Sequence, residues 1–144
     1  MAQNIMVCGV MINITVKVSK FGVMETSKII YLKFQLKYKC RYEGDWYLDS
    51  KQGQGNYVWA SGDKYEGEWF KDEHNGYGVF QWSSGAKYIG KFKGNTRNDD
   101  HGIFEWPNGD KYEGGFKDDV LEGEGTYIYD CGDKFVGEWK GKIS

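Results

Sequence analysis

Histidine, cysteine and proline are scarce in this sequence of 144 residues, which contains two, three and one of them respectively. The cysteines Cys8, Cys40 and Cys131 are odd in number, widely spaced and not arranged in a CxxC motif. They predict neither a disulfide framework nor a zinc site, and they favour a reducing compartment. The apolar stretch at residues 5–14 contains Asn13, has no basic segment before it and is too short to cross a bilayer. We therefore expect a soluble cytoplasmic protein.

Glycine and aromatic residues, by contrast, are abundant, with 21 Gly, 6 Trp, 11 Tyr and 8 Phe. The glycines follow no G-X-Y period, which excludes a collagen-like chain. The many aromatics exclude a disordered glycine-rich tract, because they supply the apolar surface that such tracts lack. Each glycine inside a helix costs about 1 kcal/mol relative to alanine. The composition therefore predicts an all-β protein without substantial helix.

A repeat of about 23 residues gives these glycines and aromatics fixed positions. The first aromatics of successive repeats are 23, 23, 24 and 23 residues apart: Tyr42, Tyr65, Tyr88, Tyr112 and Phe135. A glycine follows each of them by two residues, and a second aromatic follows by four: Trp46, Trp69, Phe92, Phe116 and Trp139. Further glycines and two more aromatics complete each period. The agreement over four periods identifies a repeat protein.

Each repeat is predicted to form one β-hairpin. Tyr65, Gly67 and Trp69 alternate with two glutamates, so they share one face of the first strand. The polar residues 70–75 are expected to form the hairpin loop, and Ser-Gly or Asn-Gly pairs to form the turns between repeats. Gly67 is expected to leave a slot for a ring of the neighbouring repeat. The third repeat carries one extra residue within 93–101, where we expect a longer, irregular loop.

This pattern resembles the MORN (membrane occupation and recognition nexus) repeat, through the segments YEGDW at 42–46, YEGEW at 65–69, YIGKF at 88–92, YEGGF at 112–116 and FVGEW at 135–139. The resemblance implies an elongated, twisted, single antiparallel sheet of stacked hairpins, a MORN-repeat solenoid. It divides the chain into 1–40, interpreted as degenerate basic capping strands, and 41–144, four repeats and a half-repeat. MORN arrays occur in cytoskeletal scaffolds, ciliary proteins, junctional membrane proteins, plant phosphatidylinositol phosphate kinases and a lysine methyltransferase, so the resemblance defines the fold more sharply than the function.

No catalytic, metal or cofactor site is predicted, and we expect a protein that is not an enzyme. His74 and His101 stand before the glycine pair or its remnant, and we interpret both as solvated residues of mobile loops. The lysines at 64, 87, 111 and 134 are expected to form a Lys–Glu ladder on the outer face of the sheet. The kinase and methyltransferase motifs of some MORN proteins are absent.

The predicted function is that of a scaffold that binds a protein or peptide partner in a cytoskeletal, ciliary or membrane-associated assembly. Its predicted binding groove is lined by eight aromatic residues: Tyr42, Trp46, Tyr65, Trp69, Tyr88, Phe92, Tyr112 and Phe116. The alternative is that these rings are consumed in stacking between repeats. The incomplete repeat after residue 134 has an open edge, which predicts a possible homodimer.

Anionic phospholipid is the alternative partner. Residues 1–40 hold six lysines and one glutamate, whereas residues 41–144 hold 13 basic and 20 acidic residues. The acidic array opposes anionic membranes and nucleic acids. A weak lipid anchor is therefore predicted only at Lys28, Lys33, Lys37 and Lys39.

Overall fold

The structure is a computed structural model that describes residues 2–7, 10–15 and 40–142. None of these residues is helical. They form twelve strands: β1 (Ala2–Val7), β2 (Val10–Thr15), β3 (Arg41–Tyr47), β4 (Ser50–Val58), β5 (Lys64–Phe70), β6 (Glu73–Gln81), β7 (Lys87–Lys93), β8 (Thr96–Arg97), β9 (Asp99–Glu105), β10 (Lys111–Lys117), β11 (Val120–Ile128) and β12 (Lys134–Lys142).

All twelve strands belong to one antiparallel sheet, and from β3 to β12 their spatial order follows the chain. The short β8 pairs only with β7, which also pairs with β9. The other strands from β3 onward form consecutive hairpins. The predicted all-β fold of stacked hairpins is therefore confirmed. We call the face that carries the first aromatic of each repeat the inner face, and the opposite one the outer face.

Two kinds of turn join the strands, one at each edge of the sheet. Between repeats, Gly62, Gly85, Gly109 and Gly132 have φ between 94° and 97°, as the sequence predicted for these turns. Within repeats, the turn is only two residues long, and both residues have positive φ, which is the type I′ pattern. In the second repeat these are Lys71 and Asp72, so the predicted loop at 70–75 is shorter than expected because its other residues belong to strands.

The third repeat keeps the same two-residue turn, Gly94-Asn95, so the prediction of a longer loop is wrong. The extra residue is absorbed inside the strand that follows. Other hairpins have a β-bulge after the first glycine, for example between Gly67 and Trp69. Here the interruption is wider: Asn98 separates β8 from β9, and its backbone N–H donates to the Lys91 carbonyl oxygen at 2.9 Å.

The core of each repeat is a tyrosine that lies across two facing glycines. Tyr42, Tyr65, Tyr88 and Tyr112 are at most 1% exposed. A Cβ built on Gly78 would be 2.5 Å from the Tyr65 Oη, and one on Gly67 would be 2.5 Å from the Gly78 Cα. The Tyr65 hydroxyl donates to the Glu68 carbonyl oxygen at 2.8 Å. The predicted slot therefore exists, but the tyrosine of the same repeat fills it.

The N-terminal strands β1 and β2 pair with each other, and β1 meets β3 where Met6 lies opposite Tyr42. The strand predicted before residue 40 lies outside the described residues, so the capping role of residues 1–40 stays a prediction. Cys40 is buried and disulfide-bonded, which the cysteine spacing did not predict.

Candidate functional site: the inner face

The predicted groove residues are core residues. Seven of the eight are at most 5% exposed, and Trp46 is half-buried. Their rings contact each other edge to face, as in Tyr65–Trp69 at 5.2 Å between centroids and Tyr42–Trp69 at 5.4 Å. Rings this well covered cannot anchor a partner without opening the stack. The prediction that these rings line an open groove is therefore corrected. They pack in the stack between repeats, which was the alternative.

On the inner face, most rings that remain partly accessible come from the second strand of each repeat and the turn after it. We call them the aromatic row: Tyr57, Trp59, Phe80, Trp82, Phe104, Trp106, Tyr127 and Tyr129. Successive centroids are between 4.5 and 5.5 Å apart, so the row is continuous. Phe104 is buried, Tyr129 is 47% exposed, and the other six are half-buried. The row therefore presents a long aromatic surface near the edge where the repeats join.

Basic side chains are enclosed by rings at one position of the repeat, nine residues after the first aromatic. This position holds Lys51, His74, Arg97 and, in the fourth repeat, Leu121. The Lys51 Nζ lies 5.1 Å from the Trp69 ring, and the Arg97 Cζ lies 5.5–5.9 Å from four rings. The His74 ring stacks on Tyr65 at 3.9 Å.

The expectation for His74 is therefore wrong. It is 8% exposed and lies in a strand, because the hairpin turn ends two residues before it. Its equivalent in the third repeat is Arg97, since the two occupy matching positions opposite Trp69 and Phe92. His101 is exposed, as expected for a solvated residue, although it lies in β9.

The backbone of each enclosed basic residue is hydrogen-bonded to the second turn residue of the next repeat, in an arrangement that we call the clasp. In Lys51 and Arg97 the side chain is held as well. The Asp72 carboxylate accepts the Lys51 backbone N–H at 2.8 Å and lies 3.4 Å from the Lys51 Nζ. The Asp72 N–H donates back to the Lys51 carbonyl oxygen at 3.2 Å. Asp119 holds Arg97 in the same way, with 2.8 Å between the Arg97 Nε and the carboxylate.

In the second clasp both partners are uncharged. The His74 backbone N–H donates to the Asn95 side-chain oxygen at 2.8 Å, and the Asn95 backbone N–H donates to the His74 carbonyl oxygen at 3.1 Å. Burial, with a smaller contribution from the nearby charge of Lys51, lowers the pKa of His74 from 6.5 to about 4. The turn residue therefore matches the enclosed side chain: aspartate for Lys51 and Arg97, asparagine for the neutral imidazole.

The outer face carries less ion pairing than expected. Lys111 pairs with Glu113 at 2.5 Å, and Arg41 pairs with Glu43. In residues 40–142 no ion pair includes Lys64, Lys87 or Lys134, so the predicted ladder forms at one of its four lysines. The lysines proposed to bind lipid, at 28, 33, 37 and 39, lie outside the described residues.

The described part of the chain has no group of three or more His, Cys, Asp or Glu residues placed to hold a metal ion. The same part contains no helix that could span a bilayer.

Comparison with known families gives one match. The family model described as MORN repeat matches residues 42–64, 65–87, 101–111 and 112–134, together more than half of the chain. The unmatched residues 88–100 contain the β-bulge that is widened by the extra residue. No curated protein matches the chain.

Proposed function

Because the chain belongs to the MORN-repeat family, we propose that it is a non-enzymatic scaffold that binds a protein or peptide partner along the aromatic row. MORN repeats form repeat scaffolds that are often associated with proteins or membranes. The proposed setting is a cytoplasmic assembly of the cytoskeletal, ciliary or membrane-associated kind.

The observation that carries this proposal is the continuity of the aromatic row. Its eight rings are in contact from Tyr57 to Tyr129 and run across all four repeats. Aromatic rings are preferred anchors in interfaces because they bury much area at low entropic cost. The rings buried beneath hold the row in place, so a partner would meet a preformed surface.

The test is a selection of random 16-residue peptides displayed against the whole chain. Selected peptides should bind at least about tenfold more weakly to Tyr129→Ala, which removes a 47% exposed ring of the row. Tyr77→Ala is the matched control, because Tyr77 is 54% exposed but points away from the row on β6. Peptides that bind both variants equally well, or that respond only to Tyr77→Ala, would contradict the proposal.

A second proposal is homodimerisation through β12. Phe135 occupies the position of the four buried tyrosines, yet it is 56% exposed, and Val136 beside it is 73% exposed. Among the described strands β12 pairs only with β11. We expect sedimentation velocity to show a concentration-dependent dimer that Phe135→Glu abolishes, while Tyr77→Glu leaves it intact. A chain that is monomeric at all concentrations would contradict this proposal.

A further inference from the structure

Most turns between repeats join an aromatic residue of the row to an aspartate through a backbone hydrogen bond. At each turn, the backbone N–H of the last aromatic donates to the carbonyl oxygen of the residue four positions later, at 2.8–2.9 Å. Three of the four turns place an aspartate there. The resulting aromatic–acid pairs are Trp59 with Asp63, Trp106 with Asp110, and Tyr129 with Asp133. The remaining turn joins Trp82 to Ala86 and has no carboxylate at that position.

Two of these carboxylates are held in place by hydrogen bonds. Asp63 accepts the Ser83 N–H at 2.7 Å. Asp110 accepts the Tyr127 hydroxyl at 2.6 Å and the Asp130 N–H at 3.0 Å. These bonds lower the pKa of both carboxyl groups, so their negative charges persist. The row is therefore bordered by fixed anionic groups.

The cations nearby do not cancel these charges on the inner face. Lys51 and Arg97 are already paired with aspartates through the clasp. The lysines that begin the first strand of each repeat alternate with the buried tyrosines, so they project from the outer face. A depression of about 430 Å³ lies at the third turn, and its lining includes Trp106, Asp110, Glu105 and Lys111. The ammonium group of Lys111 is already paired with the Glu113 carboxylate. An aromatic face beside carboxylates is the environment that a guanidinium or ammonium group prefers.

We propose that the partner is an extended basic peptide that carries an arginine or lysine at every third residue. This inference rests on the proposed function and names the chemistry of its partner. Each repeat contributes two strands about 4.8 Å apart, so equivalent pairs recur about every 9.6 Å. Three residues of a polyproline II peptide span about 9.3 Å. Side chains three residues apart therefore meet successive turns. Three of four such cations meet an aspartate, and the one at the second turn meets only the Trp82 ring.

Three peptides test both the charge and the spacing. The first is acetyl-(Arg-Pro-Pro)4-amide, the second replaces every arginine with glutamine, and the third places the four arginines consecutively before the eight prolines. At 50 mM NaCl we expect the first to bind about tenfold more tightly than either control, and its advantage over the glutamine peptide to shrink at 300 mM because exposed charges are screened.

The site of binding can be read from the indole N–H resonances of the tryptophans. The spaced arginine peptide should shift those of Trp59, Trp82 and Trp106. The indole N–H groups of Trp69 and Trp139 donate to backbone carbonyl oxygens at 3.0 Å beneath the row, so they should not shift. Shifts confined to these two would overturn the inference.

Paired variants of the array test the carboxylates. Asp130→Asn with Asp133→Asn removes two exposed charges beside Tyr129 and should weaken the spaced arginine peptide about threefold or more. Glu124→Gln with Glu138→Gln removes two charges from facing outer-face positions and should change binding less than twofold. Equal effects of the two pairs would overturn the inference.

The outcomes separate this inference from the proposed function. If the consecutive arginines bind as well as the spaced ones, the spacing is wrong; if the glutamine peptide binds as well, the charge is wrong. Failure of the spaced arginine peptide to bind overturns the inference. In all three cases the proposed function stands if displayed peptides still depend on Tyr129, and it fails if they do not.

Discussion

His74 should make the stability of this protein depend on pH between the pKa values of its folded and unfolded states. Its pKa is about 4 in the folded chain, compared with an ordinary value of 6.5. Between these values the unfolded chain binds a proton that the folded chain does not, so the free energy of unfolding falls as the pH is lowered. With 1.36 kcal/mol per pKa unit, the loss is about 2 kcal/mol at pH 5 and about 3 kcal/mol at pH 4.

Urea denaturation followed by tryptophan fluorescence measures this loss at pH 7, 6, 5 and 4.5. The matched control is His74→Leu, because Leu121 occupies the equivalent position in the fourth repeat and is 6% exposed. The two proteins differ only at residue 74, so the difference between them isolates His74. The variant should lose less stability on acidification by about 2 kcal/mol at pH 5.

Equal losses in the two proteins would refute this reasoning, as would an NMR titration that gives His74 a pKa near 6.5. Asn95→Asp provides an independent check. It places a negative charge at the backbone N–H of His74, the residue that carries the buried imidazole, so it should raise the pKa of His74 and move the loss of stability to higher pH. If the pKa of His74 does not change in that variant, the role of the uncharged clasp is wrong.

Two further substitutions test packing and the clasp by urea denaturation. Gly78→Ala should lower the free energy of unfolding by about 1–3 kcal/mol or more, because its Cβ would be 2.5 Å from a buried tyrosine hydroxyl. Gly141→Ala has nothing within 4 Å of the added Cβ and should lower it by under about 1 kcal/mol. Similar losses in the two variants would contradict the tyrosine packing. Asp119→Ala should lower the free energy of unfolding by about 1–3 kcal/mol more than Asp118→Ala, because it leaves the enclosed Arg97 unpaired. Asp118 is the matched control, since both turn residues have positive φ. Equal losses in the two variants would contradict the clasp.

The turns and faces of the sheet could be predicted because few residues satisfy their geometry. A turn with φ near 95°, as at Gly62, strongly favours glycine, so spacing of the glycines reveals where the chain reverses. Alternation likewise assigns Tyr65 and Trp69 to one face, and both are buried there. The sequence does not reveal which rings are covered, because that depends on the strand beside each ring. The four tyrosines at the first aromatic position lie over glycines and are enclosed, whereas the aromatic row stands near the edge.

The enclosed basic residues were missed although the sequence contained a signal. Lys51, His74 and Arg97 recur nine residues after the first aromatic, as regularly as the glycines do. The polarity of His74 and its closeness to a turn favoured its interpretation as a solvated loop residue. A polar side chain can be buried at this position because neighbouring rings accept its cation or stack on its imidazole, and because the next repeat supplies a hydrogen-bond partner. That partner is 21 or 22 residues away, beyond any local pattern.

The clasp gives the repeats an order that duplication or deletion would disturb. Removing the second repeat would bring Lys51 against the uncharged Asn95, and removing the third would bring His74 against the carboxylate of Asp119. The first junction would bury a cation without its counter-charge, and the second would recruit a proton to the imidazole. Loss of one repeat therefore changes the charges that meet where the two flanking repeats come into contact, even where the fold of each remaining hairpin is preserved. In this array, neighbouring hairpins are matched to each other as specifically as two subunits of a hetero-oligomer.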